Sequence, residues 1–260
     1  MTPRVPALKG DVPVSIALNG VDFVDTGMTF SFRDPPVVDG ISPAVGPVGG
    51  GTLVDVRGNG FESSNALACR VGSDLVPALF ISSGLMQCLM PHSGVAGSTS
   101  LQVTTNGVDY SSSDEVAFTF VDLVHVAMLL PLAGPEEGGT SVSLITVNGT
   151  FDPFVNYFCY FQGAPRVPAA WRSAKELACT TPAHPPGAVD VQISSNGQNF
   201  DTAALPFEFQ PTMLVTSVYP RGGPINGGTL VQVRGVGFVP STKLSCRFGS
   251  NPDTLAVYVD

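Results

Sequence analysis

Across 260 residues the charged side chains make up 13%, glycine and proline number 29 and 23, and the formal charge is −9. Ordinary soluble domains carry roughly 25% charged residues, and dense Gly and Pro break long helices, so the chain reads as all-β. A net acidic chain with few Lys and Arg argues against phosphate-backbone binding, which needs clustered cations, and no nucleic-acid partner is expected.

The chain opens on MTPRVPALKGDVP, which lacks the continuous apolar core of a signal peptide. Residues 12–32 then alternate Val14, Ile16 and Leu18 with Ser15 and Ala17, the pattern of a half-buried strand. Asn19-Gly20 follows; both residues tolerate positive φ, and the pair predicts a two-residue type I′ hairpin. Phe23, Phe30 and Phe32 lie on the return strands.

Ser42 to Phe61 reads SPAVGPVGGGTLVDVRGNGF. Its Pro-x-x-Gly-Pro and glycines predict a turn that reverses the chain between two strands. Thr52, Val54 and Val56 face one way and Leu53, Asp55 and Arg57 the other. The unit closes as the first segment did, with Leu101, Val103, Asn106-Gly107, Tyr110, Phe118 and Phe120. A second copy runs from LPLAGPEEGGTSVSLITVNGTF (130–151) to Val189, Val191, Ile193, Asn196-Gly197, Phe200, Phe207 and Phe209. A third front, YPRGGPINGGTLVQVRGVGF, spans 219–238. Pro43, Pro131 and Pro220 recur roughly every 90 residues, and a fixed period defines the architectural unit. In the middle copy the stretch from Thr140 to Phe151 is two residues longer than Thr52 to Phe61. Two added residues keep strand parity and predict a bulge or a longer exit turn.

Short alternating strands with frequent turns describe tandem immunoglobulin-like β-sandwiches, two complete and two partial. The predicted division is 1–34 as the end of a partial repeat, 35–121 and 122–210 as complete repeats, and 211–260 as the front of another partial one. The short junctions predict stiff coupling between neighbours. A chain that starts and stops inside repeats is expected to be a segment of a longer protein, so the missing leader does not assign a compartment. The most apolar run, Val116 to Leu132, carries Asp122 and His125 and falls short of the ~18 uninterrupted apolar residues of a spanning helix. Membrane attachment is expected only through other parts of the parent protein.

Five cysteines occupy equivalent positions: Cys69 and Cys88, Cys159 and Cys179, and Cys246. The second of each pair follows the first by roughly 20 residues, in register with the repeat, which predicts the disulfides Cys69–Cys88 and Cys159–Cys179 and an oxidising compartment. Buried reduced thiols in a cytosolic sandwich are the alternative. Cys246 is expected to be unpaired through truncation. Neither CxxC spacing nor histidine co-ligands accompany these cysteines, so no metal and no cofactor is expected. Asn148-Gly149-Thr150 is a candidate N-glycosylation sequon in the lengthened exit turn. His92, His125 and His184 form no recurring constellation with serine and aspartate, and no catalytic residue is assigned; they read as loop or surface residues. Trp171 reads as core or rim packing, with a binding hot spot as its functional alternative.

The pattern P-x-x-GP-x-x-GGT, an alternating strand, G-x-GF, a cysteine strand, C-x-x-P and a closing Asn-Gly segment resembles the IPT/TIG domain, an immunoglobulin-like fold of plexins, transcription factors and others. Cys69-Arg70-Val71-Gly72 and Cys246-Arg247-Phe248-Gly249 match its cysteine strand, and Cys159-Tyr160-Phe161-Gln162-Gly163 departs by one residue. The resemblance implies a stalk or array of the kind found in surface receptors, since the transcription-factor members carry a single copy with basic loops. The expected role is a non-enzymatic extracellular or cell-surface scaffold or adhesion segment that contacts protein partners. The alternatives are a carbohydrate-binding module, with Trp171, Tyr157 and Tyr160 as stacking aromatics, and a DNA-binding immunoglobulin-like domain.

Overall fold

A computed structural model describes residues 10–111, 116–201 and 205–259. Residues 1–9, most of the stretch weighed above as a leader, and the last residue of the fourth predicted segment lie outside the described residues. Among the described residues all regular structure is strand and no helix forms, as expected of a chain so rich in turn residues. Two compact units divide it, Met1–Leu123 and Val124–Asp260. Each holds one sandwich and one flanking segment.

The first unit begins with an antiparallel pair, β1 (Gly10–Ile16) and β2 (Val24–Phe32). The sandwich follows as β3 (Val37–Ser42), β4 (Val45–Pro47), β5 (Leu53–Asn59), β6 (Ala68–Val71), β7 (Asp74–Ser82), β8 (Leu85–Leu89), β9 (Gly97–Thr104) and β10 (Ala117–Val121). Its hydrogen-bonded order is β3-β5-β8-β7-β6-β9-β10-β4. β7 joins the two layers: Asp74–Pro77 pairs with β6, and Ala78–Ser82 pairs with β8. Strict alternation on β5 buries Thr52, Val54 and Val56 and leaves Leu53 and Arg57 exposed, because successive residues of a strand point to opposite faces. Val54, Val56, Cys69, Val71, Met86, Cys88, Leu101, Val103, Phe118 and Phe120 meet in one core. Each such side chain contributes about 1.5–3 kcal/mol by leaving water.

The second unit repeats this plan with β11 (Met128–Leu130), β12 (Ala133–Pro135), β13 (Ser141–Ile145), β14 (Tyr157–Phe161), β15 (Val167–Ser173), β16 (Glu176–Thr180), β17 (Gly187–Ser194) and β18 (Leu205–Gln210). The order is again β11-β13-β16-β15-β14-β17-β18-β12. β19 (Leu214–Tyr219) with β20 (Gln232–Val236), and β21 (Ser245–Cys246) with β22 (Thr254–Leu255), complete the described strands. Neither flanking segment adds a residue to the two buried cores.

Two turns hold detail that their sequence reading lacks. The Pro-x-x-Gly-Pro part of the first does not itself reverse the chain, which its glycines do as read; it carries the chain from one layer to the other. β3 pairs with β5, whereas β4, after the cis Ser42–Pro43 bond, lies parallel to β10. The reversal comes next, where the Gly50 N–H donates to the Pro47 carbonyl at 2.9 Å. Gly50 has φ 76° there, and a Cβ would strike the Pro91 backbone. The Asn-Gly pairs do not make two-residue hairpins either. Thr104 bridges to Tyr110 across a longer loop, and the Asn106 Oδ1 accepts from the backbone N–H of Val108 and Asp109 at 3.0 and 2.8 Å. Asn19 and Asn196 do the same in their copies. An asparagine side chain that imitates a backbone turn supports a wider loop than a type I′ turn would.

The two residues added in the middle copy lie in the exit turn. β13 keeps an unbroken register with β16, from Ser141↔Thr180 to Ile145↔Glu176, so there is no bulge and residues 146–150 form the lengthened connection.

Candidate functional site

Alternation places Cys69 of β6 and Cys88 of β8 on inward faces of opposite layers. They form a disulfide with Cα atoms 6.3 Å apart. Cys159 of β14 and Cys179 of β16 are bonded in the same way at 6.5 Å. In each case the two strands flank the one that passes between layers, β7 or β15, so the cystine ties the corner at which the sheet folds over. All four cysteines are buried. Cys246 on β21 is half-buried and free.

The outward faces of the two sandwiches differ. On β7 of the first, Leu79 and Ile81 are exposed in the half that pairs with β8, and Leu75 is exposed in the half that pairs with β6, opposite Arg70. On the neighbouring strands exposed Leu53 lies opposite exposed Leu89. Beside them the Gln87 side-chain amide donates to Asp55 at 2.8 Å. At the equivalent place in the second sandwich Ser141 and Thr180 face each other, and the Ser143 hydroxyl donates to Glu176 at 2.7 Å. At these matched positions the first sandwich presents leucines where the second presents hydroxyls.

Of the three aromatics weighed for sugar stacking, Tyr157 is excluded. It is buried in the second core, its ring is edge-on to Phe151 at 5.4 Å, and its hydroxyl accepts from the Asp152 N–H at 3.1 Å. Burial leads the causes that raise its pKa. Tyr157 alternates inward with Cys159 and Phe161, a parity that its place two residues before Cys159 carries in the sequence. Tyr160 faces outward and packs on Phe200 at 5.3 Å. Trp171 lies two residues beyond Ala169, the partner of Tyr157, on the side away from Tyr160. At about 3.3 Å per residue the two rings do not share a platform. Trp171 is 42% exposed at the rim of a groove formed with Pro153, Val155, Phe158 and Pro168. Its indole N–H donates to the Phe151 carbonyl at 3.2 Å. Trp171→Ala is expected to cost about 1–2 kcal/mol through lost area and this hydrogen bond. Urea unfolding followed by circular dichroism measures it.

The histidines occupy separate settings. His92 is exposed. His184 stacks on Phe209 at 4.8 Å with its ring nitrogens 2.7 and 3.1 Å from the carbonyls of Pro185 and Gln162. His125 Nδ1 lies 2.9 Å from Oδ1 of buried Asp201. This last pair fastens the start of the second sandwich to the loop after Asn196. It spans 76 residues and left no sequence signal. Among the described residues no group of three or more His, Cys, Asp or Glu is placed to hold a metal ion.

Asn148 is exposed in the lengthened exit turn. At the far end of the second sandwich the Thr212 backbone N–H and hydroxyl each donate to Glu136 Oε1 at 2.8 Å, and the hydroxyl also reaches Glu137. These donors, the backbone one foremost, hold the Glu136 carboxyl below its usual range.

The sequence model of the IPT/TIG domain matches residues 36–120, 126–209 and 213–259. Fibrocystin-L of Mus musculus is 28% identical over 216 residues, covering 82% of this chain and 5% of that protein. Plexin-B2 of Mus musculus is 26% identical over 211 residues, covering 78% of this chain and 11% of that protein. The chain thus spans a small part of the relatives it matches. Among solved structures, the full extracellular region of plexin A4 superposes with a TM-score of 0.51 at 14% identity, over 97% of this chain and 22% of that one, which shows a shared fold.

Proposed function

As the chain belongs to the IPT/TIG domain family, we propose that it is a non-enzymatic segment of an extracellular or cell-surface protein, in which consecutive sandwiches hold a reach and present their faces to protein partners. The observation that carries this reading is the buried cystine in each of two consecutive sandwiches. Such bonds persist in oxidising compartments and are rare in the cytosol. The likeness to plexin and fibrocystin-L sequences supports the same compartment.

Exposed Leu53, Leu89 and Leu79 on the adjacent strands β5, β8 and β7 favour a protein partner, since neighbouring exposed apolar side chains mark association surfaces. The carbohydrate reading keeps Trp171 but loses Tyr157 to the core and Tyr160 to a distant part of the strand. The acidic balance of 21 Asp and Glu against 12 Lys and Arg continues to argue against a nucleic-acid role.

Titrating the unfolded, unreduced protein with a thiol reagent is expected to find one reactive thiol per chain, that of Cys246. Three or five would remove the argument for an oxidising compartment.

A further inference from the structure

We propose that the exit turn of the second sandwich is a glycan-attachment site, with Asn148 as the acceptor; this rests on the extracellular reading above. The turn differs from its counterpart by more than length. In the first sandwich the chain passes from β5 through Asn59 and Gly60 directly into the buried Phe61. In the second it passes through Asn148 and Gly149, then Thr150, before the buried Phe151. The two glycines share a left-handed conformation, φ 78° at Gly60 and 80° at Gly149. One of the two added residues is therefore the threonine that completes Asn-x-Thr, the acceptor triplet. This is the one such triplet in the sequence.

The turn holds this triplet out to solvent on a fixed frame. Val147, Asn148, Gly149 and Thr150 are all exposed, while buried Thr146 anchors their base with its one hydroxyl proton shared between the His125 carbonyl, at 2.8 Å, and the Asn148 carbonyl. The Lys175 ammonium donates to the Gly149 carbonyl at 2.6 Å, and the Phe151 N–H donates to Ala174 at 2.8 Å. Backbone carbonyls within the triplet are thus engaged, whereas the Asn148 side-chain amide makes no hydrogen bond among the described residues. Several other asparagines of the chain are committed. Asn19, Asn106 and Asn196 cap their own loops, and Asn59 donates to Asp39 at 3.3 Å. Asn148 can carry a large polar substituent without giving up a contact.

The chemistry is a group transfer from a lipid-diphosphate-linked oligosaccharide. The Asn148 Nδ2 forms a bond to the anomeric carbon of the first sugar and loses one proton. The bond from that carbon to the phosphate oxygen breaks, and the lipid diphosphate leaves with the electron pair. No oxidant or reductant is needed.

The test secretes the whole 260-residue chain from a eukaryotic host that performs this transfer, as wild type, Asn148→Gln, Thr150→Ala and Thr150→Ser. Intact mass and thiol titration are read on each. The expected result is one oligosaccharide on the wild type and on T150S, none on N148Q or T150A, and one reactive thiol throughout. Removing the glycan with a peptide amidase should leave aspartate at position 148. A bare Asn148 in a secreted chain with one reactive thiol overturns the acceptor and leaves the compartment reading standing. A glycan on Asn148 beside three or five reactive thiols upholds the acceptor and overturns the compartment reading.

Discussion

Replacing Cys159 and Cys179 together with alanine is expected to destabilise the second sandwich by about 3 kcal/mol, the chain entropy that closing such a loop removes from the unfolded state. The two cysteines are 20 residues apart. Both are buried between layers, so the alanine pair also leaves a packing defect, and the loss should not fall below that figure. Trp171 makes the measurement selective. It is the one tryptophan of the chain, it lies on β15, and its indole N–H is bonded to Phe151 in the same sandwich, so its fluorescence follows that sandwich through a urea transition. A destabilisation of this size in a domain of about 90 residues corresponds to a fall in Tm of more than about 10 °C. The paired substitution at Cys69 and Cys88, in the other sandwich, should move the Trp171 transition far less. An unchanged midpoint for the Cys159 and Cys179 variant would show that the cross-link does not brace the fold.

Phe207→Ala is the second large effect, expected at about 3–5 kcal/mol. The Phe207 side chain has no exposed surface and sits edge-on to Phe161 at 5.8 Å and Phe209 at 5.0 Å. Truncating it removes buried area, leaves a void that close-packed neighbours fill only in part, and breaks both ring pairs. Phe154→Ala is the control. That ring is 93% exposed, and its removal should stay within about 0.5 kcal/mol. The Trp171 transition reports both, and equal effects from the two variants would contradict the assigned core.

The strands and their inward faces were legible because a strand announces itself locally. Thr52, Val54 and Val56 could be placed inside from alternation alone, and three in-register copies removed the ambiguity of any single stretch. The cysteine pairing was legible for the same reason. What escaped was non-local or chemical. β4 pairs with β10 across more than half the sandwich, Val45 with Thr119, and parallel pairing of that kind leaves no periodic trace beside Pro43 and Pro47. The Asn-Gly pairs were read by backbone preference, yet the side-chain oxygen of Asn106 shapes the loop. Tyr157 stands among the candidate stacking aromatics of the carbohydrate alternative, yet the Asp152 N–H satisfies its hydroxyl and lets the ring enter the core.

The parallel seam beside the last strand also decides how a sandwich answers a pull on the chain. Tension passing from Pro36 to Asp122 draws β4 toward its own start and β10 toward its own finish. The two run parallel through Val45↔Thr119, Gly46↔Phe120 and Pro47↔Val121, with further bonds from the Thr119 N–H to Ala44 and the Val48 N–H to Val121. These bonds are therefore loaded in shear, all together, instead of being peeled one after another. The second sandwich has the same seam at Ala133↔Glu208, Gly134↔Phe209 and Pro135↔Gln210, so each module resists stretching at its own clasp.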